Sequence, residues 1–351
     1  MHRVLTRAAA TAELKRVANM LQKSQTSFAM PKSLLAKDAD LSYPLKEFQP
    51  LLKGLPEFDV SVHPNEGVRP VAGAVFKAPD MPSPDVATVE QTFVDGIRVI
   101  VVKPARTTGK TPTVLWIQGG GFIIGTPESR MPINIHFAKA GFATVLLEYG
   151  LSPEDPWPTP HNQVYRIWQW LTSTEGLSFV NADPERLVFA GTSCGAILAE
   201  IATIRHKQEN PTGIQPRLVL LDNPILDNRP ELYPSMDQEH PLSPSPFWTA
   251  KNNTDALYWL NAPSNWEGFP AYASEEQLRG LPPHHIAIAE IDCIRDEAIV
   301  FAQRLMKLGV RMDMRLYAGT THTYSAMFET PAAHSTREDY VQICKLAFRE
   351  L

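Results

Sequence analysis

The chain is poor in cysteine, poor in clustered positive charge and free of long apolar runs. Its 351 residues contain 3 cysteines, Cys194, Cys293 and Cys344, too few and too dispersed for a disulfide framework or a zinc site. A reducing compartment is expected, with no metal and no cofactor. No stretch reaches the roughly 18 apolar residues of a membrane span, and the N-terminus lacks the apolar core of a signal peptide. Lysine and arginine are not gathered into patches that grip a phosphate backbone, and the net charge is −5, which argues against a nucleic-acid partner. Internal repeats and low-complexity tracts are absent as well.

What is present is 44% apolar and 20% charged, the balance of a globular protein with a large core. With few cysteines and no apolar signal core, a cytoplasmic location is expected. Residues 1–26 hold Arg3, Arg7, Lys15, Arg16 and Lys23 against a single Glu13, which loosely resembles a mitochondrial presequence. An amphipathic surface helix over residues 8–24, with Leu14, Val17, Ala18 and Leu21 on one side, is the preferred account.

Residues 32–70 are punctuated by proline and show little periodicity. From residue 86 the pattern changes. Val89, Thr92 and Val94, then 97–102 beyond Asp95-Gly96, predict a hairpin. Short apolar runs predict buried strands at 113–117, 143–147, 218–221, 286–289 and 312–317. Helical spacing predicts helices over 132–140, 162–171 and 297–308, with a last one from about 338. Such alternation predicts an α/β fold, a mostly parallel central sheet with helices on both faces. Residues 223–283, rich in Pro, Trp, Tyr and Asn, read as a cap insertion. Residues 1–85 read as a lead-in that contributes to the cap, and 86–351 as the catalytic domain.

Residues 187–199 run from one apolar stretch through Gly191-Thr192-Ser193-Cys194-Gly195 into another, which reads as strand, tight turn and helix. A serine flanked by glycines two residues away on each side fits a nucleophile elbow. Its hydroxyl needs a base to take its proton, and that base needs a carboxylate to hold its tautomer. Asp292 and His322 each follow a predicted strand, where open α/β sheets build their sites. Asp296 is the rival acid, though it is better placed to start a helix. His284, His285 and His334 are rival bases that stand before a strand or beside no strand end. Gln118-Gly119-Gly120-Gly121-Phe122 follows the strand at 113–117 and can present unobstructed N–H donors to developing negative charge, joined by the N–H of Cys194. This loop has neither Gly-x-Gly-x-x-Gly nor a Gly-Lys-Ser/Thr ending, so it is not a phosphate loop.

Together these motifs resemble the hormone-sensitive-lipase-like branch of the α/β-hydrolases from about residue 86 onward. Trp116-Ile-Gln-Gly-Gly-Gly-Phe-Ile-Ile-Gly125 resembles the His-Gly-Gly-Gly loop, and Glu148-Tyr-Gly-Leu-Ser-Pro-Glu154 the Asp-Tyr-Arg-Leu-Ala-Pro-Glu stretch. Residues 191–196 resemble the Gly-Asp-Ser-Ala-Gly-Gly elbow. Asp292-Cys-Ile-Arg-Asp-Glu297 resembles Asp-Pro-Leu-Arg-Asp-Glu, and Gly319-Thr-Thr-His322 the terminal Gly-x-x-His. The resemblance implies an α/β-hydrolase fold with Ser193 as nucleophile, Asp292 as orienting acid and His322 as base. Gly120, Gly121 and Cys194 would be the oxyanion donors.

The expected activity is hydrolysis of a small to medium carboxylic ester through an acyl-enzyme. The partner is then a small-molecule substrate, and a homodimer is left open. Gln118, Gly150, Thr192, Cys194 and Ala196 depart from the pattern. Such drift also suits an acyltransferase, a cyclase or a lyase on the same site, or a ligand-binding protein whose triad is vestigial. The Cys194 thiol is expected to pack beneath the loop rather than react. Phe122, Trp248, Tyr258, Trp259 and Tyr324 are candidate pocket residues, joined by Phe247 and Trp266 in the insertion; the insertion's aromatics suit a cap core equally well.

Overall fold

The computed structural model describes residue 48 and residues 50–51, 59–75, 81–237 and 248–349. The helix expected over 8–24, and Phe247, lie outside these residues. The hairpin forms as read: β1 (Ala87–Val94) and β2 (Ile97–Pro104) pair antiparallel with Val94 opposite Ile97. Asp95 and Gly96 take φ of 49° and 81°, the two left-handed residues of a tight hairpin turn.

The remaining strands are β3 (Thr111–Ile117), β4 (Ala143–Leu147), β5 (Ala182–Thr192), β6 (Leu218–Asp222), β7 (His284–Ile291) and β8 (Met312–Thr321). They complete an 8-stranded sheet in the order β1-β2-β4-β3-β5-β6-β7-β8. β2 meets β4 antiparallel, and every pairing from β4 across to β8 is parallel. The expected mostly parallel sheet is therefore borne out. In chain order the helices are α1 (Val68–Val75), α2 (Met131–Lys139), α3 (Thr159–Leu171), α4 (Thr174–Val180) and α5 (Cys194–Glu209). They continue with α6 (Ala250–Leu260), α7 (Glu275–Leu278), α8 (Arg295–Lys307), α9 (Tyr324–Met327) and α10 (Pro331–Phe348). None of the described helices is long and apolar enough to cross a membrane.

Alternation along the central strands sorts side chains into two cores. Leu115 and Ile117 of β3, with Leu187 and Phe189 of β5, pack with α3, α5 and α8. Val114, Trp116, Val188 and Ala190 point the other way and pack with α2 and α10. Strands covered on both faces read as unbroken apolar runs, which is why β3, β4 and β6 were legible as such.

Several boundaries differ from the reading. α10 begins at Pro331, seven residues before the expected start near 338, because Thr330 caps it by accepting the Ala333 N–H at 3.2 Å, with proline in the first turn. β7 and β8 run on to Ile291 and Thr321, so Asp292 and His322 follow their strands without an intervening residue. Helices α4 and α6, capped by Ser173 and Thr249, were not expected, since neither carries a clear apolar stripe.

The turn between β5 and α5 places the rest. Ser193 has φ 55° and ψ −122°, a conformation that costs a non-glycine residue energy unless its surroundings enforce it. Its N–H donates to the Asp222 carbonyl at 2.8 Å and its carbonyl accepts the Ala196 N–H at 3.0 Å. A Cβ on Gly191 would stand 2.3 Å from the Gly195 carbonyl oxygen, and one on Gly195 would stand 2.4 Å from that of Ile117. Strand, helix and neighbouring strand thus touch through bare backbone. Gly191→Ala and Gly195→Ala should each destabilise the fold by about 1–3 kcal/mol, the usual cost of overpacking, read as a lower denaturation midpoint. An unchanged midpoint in both would mean that the elbow is looser than described.

Candidate active site

Ser193, at the tip of that turn, lies with its Oγ 2.9 Å from His322 Nε2. His322 Nδ1 lies 2.7 Å from Asp292 Oδ2. All three residues are buried. A carboxylate only accepts, so Nδ1 carries the proton toward Asp292 and the Nε2 lone pair faces the serine hydroxyl. The other Asp292 oxygen accepts the Ile294 N–H at 3.2 Å.

The rivals are occupied elsewhere. Asp296 pairs with Arg295 at 2.8 Å and accepts the Ser235 N–H at 2.9 Å. His284 sits against Glu200 at 2.8 Å and the Pro282 carbonyl at 2.7 Å. His285 meets Asp313 at 2.9 Å, and His334 meets Glu329 on the surface.

Beside the serine, Gly120, Gly121 and Phe122 take φ of 136°, 60° and 65° in succession. The Gly120 carbonyl accepts the N–H groups of Ile123 and Ile124 at 3.1 and 3.0 Å, which curls the loop back on itself. Among the described residues the Gly120 N–H has no backbone acceptor. The Cys194 N–H opens helix α5, where the first N–H groups have no partner within the helix. The Cys194 thiol lies under the loop and accepts the Phe122 N–H at 3.2 Å. Tyr149 Oη lies 3.6 Å from the same sulfur and donates to the Gln118 carbonyl at 2.8 Å. Burial pushes the Cys194 thiol up, so it stays protonated and serves as packing, as the sequence suggested.

Arg69 of α1 is a supporting residue that sequence reasoning missed. Its Nε donates to the Ile123 carbonyl and its Nη2 to the Ser152 carbonyl, both at 2.8 Å. The same guanidinium is paired with Glu154 and holds that carboxyl down at about 2. An arginine in a proline-broken lead-in carries no local signal of such a contact.

The candidate pocket residues divide. Trp248 stacks on His322 with ring centroids 6.0 Å apart, and a Cβ on Gly121 would fall 2.6 Å from its ring. Tyr258 is 76% exposed, because α6 buries Ala250, Asn253, Ala256 and Leu260 and turns Tyr258 to the other side. Trp259 donates from Nε1 to the Val60 carbonyl at 2.9 Å and packs on His63. Trp266 is half-buried against the core. The Phe122 ring is buried and stacks on His161. Tyr324 packs among Phe48, Tyr317 and Phe328 with its hydroxyl on Thr336 at 2.5 Å. Of the five pocket candidates, Trp248 alone is described in contact with the serine's partners; aromatic content without helix phase could not separate it from the rest.

Residues 114–326 match the model of a family described as having the alpha/beta hydrolase fold. The chain belongs to the α/β-hydrolases. This α/β-hydrolase is 25% identical over 309 residues to the carboxylesterase NlhH of Mycobacterium tuberculosis, covering 79% of the chain and 89% of that protein. It is 24% identical over 284 residues to the esterase LipI of the same organism, covering 78% and 86%. Among solved structures a bacterial heroin esterase superposes with a TM-score of 0.78 at 27% identity, covering 88% of this chain and 99% of that one. The expectation of a carboxylesterase-like serine hydrolase of the hormone-sensitive-lipase-like branch is borne out.

The three cysteines of this hydrolase are free and buried. A thiol reagent such as Ellman's should therefore label none of them in the native protein within minutes and all of them in denaturant. Rapid labelling of Cys194 in the native state would contradict its place beneath the loop.

Proposed function

We propose that this chain hydrolyses a small to medium carboxylic ester through an acyl-enzyme intermediate. The observation that carries the reading is the unbroken line from Ser193 Oγ, 2.9 Å to His322 Nε2, and from Nδ1, 2.7 Å to Asp292. In this reading His322 takes the serine proton as Oγ attacks the ester carbonyl, then returns it to the departing alcohol. Asp292 holds the imidazole tautomer and offsets the charge that forms on it. The N–H groups of Gly120, Gly121 and Cys194 stabilise the oxyanion. The acyl-serine is released when His322 activates a water against it.

Residues 86–351 are proposed as the catalytic domain, with 223–283 as a cap insertion and 1–85 as a lead-in segment. The reading is supported by Trp248, which stacks on His322 and lies against Gly121, where Ala256 also stands. A wall of that kind suits short acyl groups: each buried methylene adds about 0.8 kcal/mol until overpacking reverses the gain. Cytoplasmic residence is part of the proposal and fits three free cysteines.

Ser193→Ala should remove nearly all turnover of aryl esters and all labelling by an organophosphonate. Substantial residual turnover in that variant would sink the covalent mechanism. Asp292→Asn should lower kcat by about 10⁴-fold through the wrong imidazole tautomer, whereas Asp296→Asn should have a far smaller effect. Across a graded acyl series, kcat/KM should rise over the shortest chains and then drop, and Trp248→Ala should move that optimum to longer chains. A series that keeps rising to long chains in the unaltered protein would remove Trp248 as the wall.

A further inference from the structure

Asp222 ends β6, is wholly buried and takes no part in the reading above. Its Oδ2 accepts Thr192 Oγ1 at 3.2 Å and Ser325 Oγ at 2.9 Å. Its Oδ1 accepts Tyr340 Oη at 2.7 Å and the side-chain amide of Asn223. Trp116 Nε1 donates to Thr192 Oγ1 at 3.2 Å, which occupies a lone pair of that hydroxyl and directs its proton to Asp222. Among the described residues no lysine, arginine or histidine forms an ion pair with this carboxyl; burial pushes it up, opposed by the hydrogen bonds from Tyr340, Ser325 and Thr192 and by the buried Arg130 at longer distance. A buried carboxylate satisfied in this way persists only where nearly every acceptor site is used.

The partners stand at informative places. Thr192 immediately precedes the serine, and Ser325 lies in α9, three residues after His322. Nucleophile and base leave the sheet from β5 and β8, which are separated by β6 and β7, so no backbone pairing joins their two loops. One oxygen of Asp222 does. Thr192 also stands where the resembling family has an aspartate, and it is paired in register with Asp222. In this chain the carboxylate comes from the neighbouring strand.

We propose that Asp222 is a positioning residue for the Ser193–His322 pair, holding the nucleophile strand and the base loop at one spacing through Thr192 and Ser325. The proposal rests on the reading of Ser193 as nucleophile. A displacement of about 1 Å between reacting groups can cost about 10²-fold in rate, so the effect belongs in kcat rather than KM.

The test compares variants for kcat, KM, denaturation midpoint and the rate of phosphonate labelling at Ser193. Asp222→Ala should lower kcat and labelling by about 10²-fold with KM little changed. Asp222→Asn should keep most of the activity, since an amide oxygen accepts and the facing hydroxyls can rotate. Thr192→Asp should be nearly inactive, with two carboxylates in one buried site, and Thr192→Asp combined with Asp222→Asn should recover at least tenfold.

Should Asp222→Ala fail to fold, the two oxygens are tested apart. Ser325→Ala should lower kcat by about tenfold, and Tyr340→Phe, which loosens only the α10 side, should lower the denaturation midpoint and leave kcat within twofold. Folded Asp222→Ala with wild-type kcat and labelling, or equal kcat losses in Ser325→Ala and Tyr340→Phe, would overturn the proposal while leaving the esterase reading intact. Turnover by Ser193→Ala would instead overturn the reading beneath it.

Discussion

A serine holds φ at 55° only where the chain leaves it no easier conformation. In this protein that constraint is made of backbone packed on backbone: the amide groups of Gly195 and Ile117 stand where side chains would otherwise be. The β5–α5 turn cannot relax without driving the helix off the sheet. Everything downstream inherits this rigidity. The Ser193 N–H is fixed on Asp222, the Cys194 N–H is presented at the start of a helix, and the thiol beside it reaches the underside of the glycine loop. A strained residue at a site is sustained by the structure around it, and here Cys194 and Tyr149 are buried beneath the adjoining glycine loop and hydrogen-bonded to it.

The candidate site is assembled from the ends of four strands rather than from one motif. β3 leads into the glycine loop, β5 into the serine, β7 into Asp292 and β8 into His322. Each loop is short, so each side chain is placed by the strand behind it. The spacing between loops is then a property of the sheet's twist and of the few polar groups that cross from one loop to another. Those crossing groups are buried and paired: Ser235 donates to the carbonyl of Cys293 beside Asp292 at 2.6 Å, and Asp222 accepts from three separate elements.

Much of this was legible from residue order because the deciding interactions are local. Asp95-Gly96 announces its own turn, and Gly191 and Gly195 announce the close approach around Ser193. Asp292 and His322 stand at strand ends that their apolar runs mark. What was not legible depends on phase or on distance. Tyr258 and Trp248 look alike in a list of aromatic residues, yet the face that α6 buries sends Tyr258 into solvent. Tyr324 is two residues from His322, but α9 turns it away into a small aromatic cluster. Thr330-Pro331 was a start signal for α10 that periodicity passed over. Asp222 offered a signal as well, an acid closing an otherwise apolar strand, but its partners come from segments remote in sequence. Arg69 offered none.

The Arg69 guanidinium has a consequence for where this enzyme begins. The family match starts at residue 114, and the sheet starts at Ala87, which would suggest a self-contained catalytic body preceded by a dispensable leader. Yet the carbonyls of Ile123 and Ser152, on the loops that frame the serine, are held from a helix that ends before the sheet begins. Two loops of the site are therefore held by a side chain that lies upstream of both the sheet and the matched region. In an enzyme built this way, recombination or fusion at the fold boundary would exchange more than a cover, because the incoming leader must bring its own cation for the catalytic loops.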